Sequence, residues 1–237
     1  MADIDRLLVF GDIHSKWDRF QDTYHQVKFE PEHDKMVFLG DYLDRGENPV
    51  AIMEWVLAHV DTPNMIFLRG NHEQMFYESL RSAGQEKGLV DFQLDAPKSL
   101  WLKNGGNETY KAIEKTGRGK ELIGAWLELI EKMPLYVELE ARGQKYWFVH
   151  ADCDPELPLE QQRSKRLLWS RKLAKWPGLH QGEQIIVLGH TPLQALYLGS
   201  RPKQIGKVVL MDTGSYLEKG HVSCVDLLSG QIWQSNM

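Results

Sequence analysis

The sequence predicts an α/β fold, on three observations. Short apolar runs at 6–10, 36–39 and 65–68 read as buried strands. Amphipathic stretches at 16–27 and 48–60 lie between them, so the chain alternates strand, loop and helix as βαβ units do. Each run is followed within two residues by a glycine and then an acid or amide, at the strand ends where open α/β sheets place their ligands.

Taken in order, the first strand ends at Gly11-Asp12-Ile13-His14. The helix after it carries Trp17, Phe20, Tyr24 and Val27 on one face. A polar loop with a proline, 30–34, precedes the second strand, which leads into 40–46, GDYLDRG. Asn48-Pro49 reads as the next helix start, since Asn can cap and Pro is tolerated at the first helical position. Ile52, Met53, Val56, Leu57 and Val60 form its inward stripe. The third strand delivers Arg69-Gly70-Asn71-His72-Glu73.

From 74 to 118 the pattern is broken by Gly84, Gly88, Pro97 and Gly105-Gly106. With a clear helix at 121–133, the stretch 74–133 reads as a mostly helical insertion that shapes a cleft. A hairpin is expected from 135–140 and 146–150, ending at His150. A loop (152–158), a helical or mixed stretch (159–175) and a turn (176–178) lead to a strand at 184–188, which ends in Gly189-His190-Thr191-Pro192. Further strands are expected at 195–198, 208–211, 221–226 and 231–234. With no linker-like stretch, residues 1–237 are expected to form a single catalytic domain.

Composition narrows the class. Hydrophobic residues make up 42% and charged residues 26%, as in an ordinary globular protein. A net charge of -5 gives no electrostatic case for nucleic acid or an anionic membrane. No apolar run approaches the ~20 residues a membrane span needs, and no signal peptide is seen. Cys153 and Cys224 cannot form a disulfide framework and fit a reducing cytoplasm. A monomer is expected.

The chemistry collects at five strand ends: Asp12 and His14, then Asp41, Asp44 and Arg45, then Asn71 and His72, then His150, then His190. Singly, each has a structural reading, because an acid after a strand is commonly a cap or turn residue. Jointly they mix hard oxygen donors with imidazoles, as manganese, iron and zinc sites do. They exceed what one tetrahedral ion needs and suit two divalent ions sharing a carboxylate, ~3.5–4 Å apart. Between two such ions a water loses its proton near neutral pH and becomes a nucleophile. Arginines match a phosphate by bidentate contact, and a histidine oriented by a carboxylate can protonate a leaving alkoxide. A Cys-x5-Arg loop is absent after Cys153, which reads as a bystander.

These motifs, Gly11-Asp12-Ile13-His14, GDYLDRG, Arg69-Gly70-Asn71-His72-Glu73, Phe148-Val149-His150-Ala151 and Gly189-His190-Thr191, resemble those of the phosphoprotein phosphatase branch of the calcineurin-like metallophosphoesterases. The bacterial and phage serine/threonine phosphatases are the most similar group, and Asn104-Gly105-Gly106 with Thr109 resembles a segment of theirs. The resemblance implies a central two-sheet β-sandwich flanked by helices, and a phosphorylated protein or peptide as substrate. It implies that Asp12, His14 and Asp41 hold one metal, and that Asp41, Asn71, His150 and His190 hold the second. Manganese is the expected ion, with iron or zinc as alternatives.

It further implies that His72 protonates the leaving oxygen, that Asp44 holds its ring, and that Arg45 binds phosphate. A second phosphate-binding arginine is expected between His150 and His190; Arg171 is the choice, with Arg163 and Arg166 as rivals. The family's glycine after the first histidine is Ser15 here, which puts the backbone there in question. The competing enzyme is a symmetrical diadenosine tetraphosphate hydrolase, in which the position of Asp44 is, by resemblance, usually not acidic. A catalytically dead scaffold is disfavoured, because no metal ligand is missing.

Overall fold

The computed structural model describes residues 4–81 and 96–236. Strand β1 (Arg6–Phe10) is followed by helix α1 (Trp17–Val27), β2 (Asp34–Phe38), α2 (Pro49–His59), β3 (Met65–Phe67) and α3 (Asn71–Leu80). Helix α4 (Ala96–Trp101), a wide turn at Leu102–Gly106, α5 (Asn107–Lys115) and α6 (Gly119–Lys132) come next. The second half holds β4 (Tyr136–Ala141), β5 (Gln144–Val149), α7 (Ser164–Trp169), α8 (Lys172–Lys175) and β6 (Ile185–Leu188). It closes with β7 (Lys203–Ile205), β8 (Val208–Leu210), β9 (Ser223–Asp226) and β10 (Ile232–Gln234).

Two five-stranded sheets result, ordered β10-β9-β1-β2-β3 and β4-β5-β6-β8-β7. Alternation of side chains along each strand explains the layering. Leu7 and Val9 of β1 pack between the sheets with Phe148 of β5, Val187 of β6 and Val209 of β8. Leu8 and Phe10 point the other way, under α1, α2 and α3 through Phe20, Ile52, Val56 and Phe76. On the far side Ile186 and Leu188 meet Leu167 of α7 and Leu173 of α8. Strands buried on both faces read as unbroken apolar runs, which is why β1, β2 and β6 were visible in the sequence.

Strands β1, β2 and β3 are parallel, as are β5, β6 and β8. Their carboxyl ends therefore open along one edge of the sandwich.

Three expectations need correction. The stretch 195–198 is no strand: a 3-10 turn at Leu193–Leu196 ends at Tyr197, whose φ is 57° and whose side chain is 97% exposed. Apolar residues there find no ladder partner, and the Leu193 N–H is spent on Asp212 O. The strand missed instead is β7, a polar, lysine-bearing edge strand that pairs only with β8. Asp34 begins β2 rather than ending the loop, and it is buried because Arg6 Nε donates to it at 2.8 Å. The expected insertion is helical where described; Gly84 and Gly88 lie outside the described residues. The 159–175 stretch divides into a 3-10 turn, α7 and α8, broken at Ser170-Arg171.

Candidate active site

Six parallel strand ends, rather than five, meet at the edge of the sandwich. The sixth is β8, which delivers Asp212-Thr213-Gly214. Asp212 also follows an apolar run, but its glycine, Gly214, comes after the acid rather than before it, so it lacks the order that marks the first three ends.

The loop after β2 is the centre. Asp41, Asp44 and Arg45 all take the left-handed backbone conformation, at φ 56°, 69° and 65°. So do His14, Ser15 and His190. Left-handed φ is costly for non-glycine residues and clusters where surrounding structure imposes it. At Asp41 the imposing group is Glu73, third residue of α3. Its buried carboxylate accepts the N–H groups of Asp41 (2.8 Å), Tyr42 (2.8 Å), Leu43 (3.1 Å) and Gly70 (2.9 Å). Burial and the neighbouring Asp41 push it up to about 7. Gly70 is needed for close approach, since a Cβ there would fall 2.2 Å from Asp41 Oδ1. Ser15 lies at φ 55°, which is the conformation a glycine would adopt freely.

Around Asp41 the imidazoles converge. His14 Nε2 lies 3.6 Å and His72 Nε2 3.9 Å from Oδ2, and His150 Nε2 lies 3.4 Å from Oδ1. Asp41 belongs to both buried groups of ligating atoms, one with His14 and His72, the other with His150 and His190. Burial raises the Asp41 carboxyl, but His150, His72, His14 and His190 outweigh it and hold it below the usual range. Asp12 Oδ2 stands 3.9 Å from His14 Nε2, while both its oxygens accept the His190 N–H, at 3.0 and 3.1 Å. The Asp12 carboxyl is driven well up by burial, then by Asp212 and Asp41.

The donor set fits divalent cations. Asp12, Asp41 and Asp212 place three buried carboxylates together. Burial also lowers the imidazoles beside them: His14 and His150 fall below their ordinary value, and His190 is brought to about 3, with its neighbour His150 adding to the effect. His150 Nδ1 spends its proton on Leu39 O at 2.9 Å, so Nε2 turns a lone pair to Asn71 Oδ1 at 2.9 Å. His190 Nδ1 meets the same oxygen at 2.8 Å. Lone pairs and carboxylates gathered this closely are stabilised by a cation among them.

Beside this cluster, His72 Nδ1 donates to Asp44 Oδ2 at 2.7 Å. Both side chains are fully buried, and His72 Nε2 has no hydrogen-bond partner. Burial lowers the imidazole, but Asp41 and Asp44 outweigh it, so His72 titrates above its ordinary value. Asp44 also accepts Trp101 Nε1, at 3.0 Å to Oδ2, and Thr109 Oγ1, at 2.6 Å to Oδ1. Neither partner was foreseen for Asp44. A Cβ on Gly106 would strike the Trp101 ring at 2.4 Å, so the Gly105-Gly106 pair lets the indole reach Asp44.

Arg45 Nη1 donates to His14 Nε2 at 2.9 Å, and its guanidinium lies 4.4 Å from the ring centroid of Tyr216. Arg19 of α1 holds that tyrosine loop through the carbonyls of Ser215 and Leu217. Of the three rival arginines, Arg166 is occupied: Nη1 donates to Asp154 at 2.7 Å, and Nε lies 3.6 Å from Asp152. Arg171 is exposed, and its charge acts on His190, Asp212 and Tyr216. Arg163 is exposed at the start of α7. Cys153 is buried, and burial pushes its thiol up to about 12.

The profile of the calcineurin-like phosphoesterase family matches residues 5–225. Serine/threonine-protein phosphatase 1 of Salmonella typhimurium is 28% identical over 212 residues, covering 87% of this chain and 85% of that protein. A symmetrical bis(5'-nucleosyl)-tetraphosphatase of Glaesserella parasuis is 32% identical over 98 residues, 40% of this chain and 35% of that protein. The fold is similar to that of a protein serine/threonine phosphatase from Saccharomyces cerevisiae, with a TM-score of 0.61 at 17% identity over 99% of this chain and 80% of that one.

Proposed function

The chain belongs to the calcineurin-like phosphoesterase family, and within it we propose that it is a metal-dependent phosphomonoesterase acting on phosphorylated serine or threonine in proteins. The observation that carries this reading is the buried His72–Asp44 pair, 2.7 Å apart, with His72 Nε2 unpartnered. Asp12, His14 and Asp41 would hold one divalent ion, and Asp41, Asn71, His150 and His190 the other, with manganese the expected metal. When bound, such ions lower the pKa of water and withdraw charge from a phosphoryl group.

The chain's own residues do the rest. Arg45 and Arg171 supply guanidinium donors for the phosphate oxygens, offsetting charge that two ions alone would leave. Water forms the new P–O bond as the bond to the serine or threonine oxygen breaks. His72 gives its Nε2 proton to that leaving oxygen, and Asp44 keeps the ring turned for the transfer and favours its charged form. Glu73 keeps Asp41 and Asp44 in place by fixing the loop backbone that carries both. A role in the cytoplasm fits two free thiols, and among the described residues no helix is long and apolar enough to cross a membrane.

The second reading is cleavage of a symmetrical dinucleoside tetraphosphate, supported by the Glaesserella parasuis relative. The Asp44–His72 pair favours the phosphatase, because a serine alkoxide needs a proton more than a nucleotide leaving group does. The test incubates purified protein, with Mn²⁺ or with chelator, against a phosphoserine peptide, an aryl phosphate and the dinucleotide. Peptide hydrolysis that needs the metal is expected. Undiminished turnover in chelator, or cleavage of the dinucleotide alone, refutes the reading.

A further inference from the structure

A strong local charge lies outside the motifs. Residues 161–182 contain six lysines and arginines and no acid, in a chain whose net charge is -5. One of the six, Arg166, is neutralised by Asp154 and Asp152. The other five, Arg163, Lys165, Arg171, Lys172 and Lys175, are exposed, and among the described residues their side chains form no ion pair. Burial of Leu167 and Leu168 on α7, and of Leu173 and Ala174 on α8, turns the cations outward.

This segment is fastened to the rim of the site. The Ala151 N–H, next to His150, donates to Leu167 O at 2.8 Å. The Trp169 ring meets His190 edge-on, with centroids 6.3 Å apart, and the Ser170 hydroxyl bonds Asp152. Arg171 thus stands at the mouth. Lys175 lies one helical turn behind it, its N–H donating to Arg171 O at 3.0 Å. One turn is about 5–6 Å, and an extended peptide advances ~3.3 Å per residue. A side chain two residues from a phosphate held at Arg171 therefore reaches Lys175.

Resting on the phosphatase reading above, we propose that the α7–α8 segment is a docking surface for acidic residues flanking the phosphorylated residue, with Lys172 and Lys175 as the selecting charges. Charge complementarity singles out this occupant. The surface offers unpaired cations to a substrate that is itself anionic, and the rest of a net-acidic chain repels such a peptide.

The test uses the full chain with Mn²⁺ and two labelled phosphoserine peptides, identical except for Asp or Lys two residues to either side. The acid-flanked peptide is expected to show a higher kcat/KM by about fivefold, a preference that shrinks in about 0.5 M NaCl. In the Lys172→Glu/Lys175→Glu double variant that preference should reverse, while turnover of p-nitrophenyl phosphate stays unchanged. Fluorescence anisotropy of the same peptides reads docking without turnover, so the surface is judged even if catalysis fails. Equal binding of the two peptides by wild type overturns the proposal. So does a variant that lowers all substrates alike, or one that weakens a dinucleoside tetraphosphate as much as the acidic peptide.

Discussion

Replacing Asp44 with Asn tests the proton donor without changing the shape of the site. The carboxylate accepts three donors: His72 Nδ1 at 2.7 Å, Trp101 Nε1 at 3.0 Å and Thr109 Oγ1 at 2.6 Å. An amide has one oxygen. Only the threonine hydroxyl can reverse its bond and accept, so the new NH₂ should turn to Thr109 and leave the oxygen on His72 and Trp101. Geometry survives and charge is lost. A charge-assisted hydrogen bond contributes about 1.5–3 kcal/mol against about 0.5–1.5 for a neutral one. A loss of about 1.4 kcal/mol from the imidazolium is about one pKa unit.

The sign follows from the present direction. His72 now titrates above its ordinary value because Asp41 and Asp44 outweigh burial. Removing one of them lowers it. The protonated form is the donor, so activity is lost as pH rises through this pKa. In Asp44→Asn the alkaline limb of kcat for a phosphoserine peptide should move down by about one unit, with about a tenfold loss above both limbs. A p-nitrophenyl ester, whose leaving group departs without a proton, should keep its rate. An unmoved limb in a folded variant, or equal loss on both substrates, refutes the assignment of His72.

Ser15→Gly should stabilise the protein by about 1 kcal/mol, raising Tm by about 2–4 °C, because φ 55° is strained for serine and its hydroxyl makes only a 3.4 Å contact with Tyr42 O. Gly106→Ala should cost about 1–3 kcal/mol and slow peptide turnover by pushing Trp101 off Asp44, visible in near-ultraviolet circular dichroism. Gly124→Ala, in the interior of α6 with open space around it, is the control and should stabilise by about 0.5–1 kcal/mol in a thermal melt. Iodoacetamide at neutral pH should leave activity intact, since burial pushes Cys153 up to about 12 and Cys224 well above its ordinary value; rapid inactivation would show an exposed thiol.

Which parts of this architecture a reader could foresee depended on how local the cause was. Strands β1, β2 and β6 announce themselves because both faces are buried, and their apolar runs end on the ligands. Strand β7 is a polar edge, and nothing in Lys203-Gln204-Ile205 distinguishes it from a loop. Asp212 carried only part of the signal, an apolar run and an acid, with its glycine after the acid instead of before it. Trp101 carried none, and Thr109 stood out only within a resembling segment, not as a partner of Asp44: they stand 57 and 65 residues from Asp44, and only the packing of α4 and α5 onto the loop brings them there.

The loop after β2 shows why local preference fails at such a site. Ten non-glycine residues among those described have positive φ, and six of them, His14, Ser15, Asp41, Asp44, Arg45 and His190, surround the candidate metal cluster. Strain of about 1–2 kcal/mol at each would not persist on sequence preference alone. At Asp41 it is opposed by the buried carboxylate of Glu73, which reaches from α3, a helix some thirty residues later in the chain, to accept the N–H groups of Asp41, Tyr42, Leu43 and Gly70. A buried anion with four donors is satisfied, whereas an apolar residue at 73 would leave those donors unpaired around Asp41. The loop's conformation is thus a property of the strand-to-helix contact between β2 and α3. The same glutamate that caps one helix fixes the backbone that presents Asp41 to the histidines and Asp44 to His72.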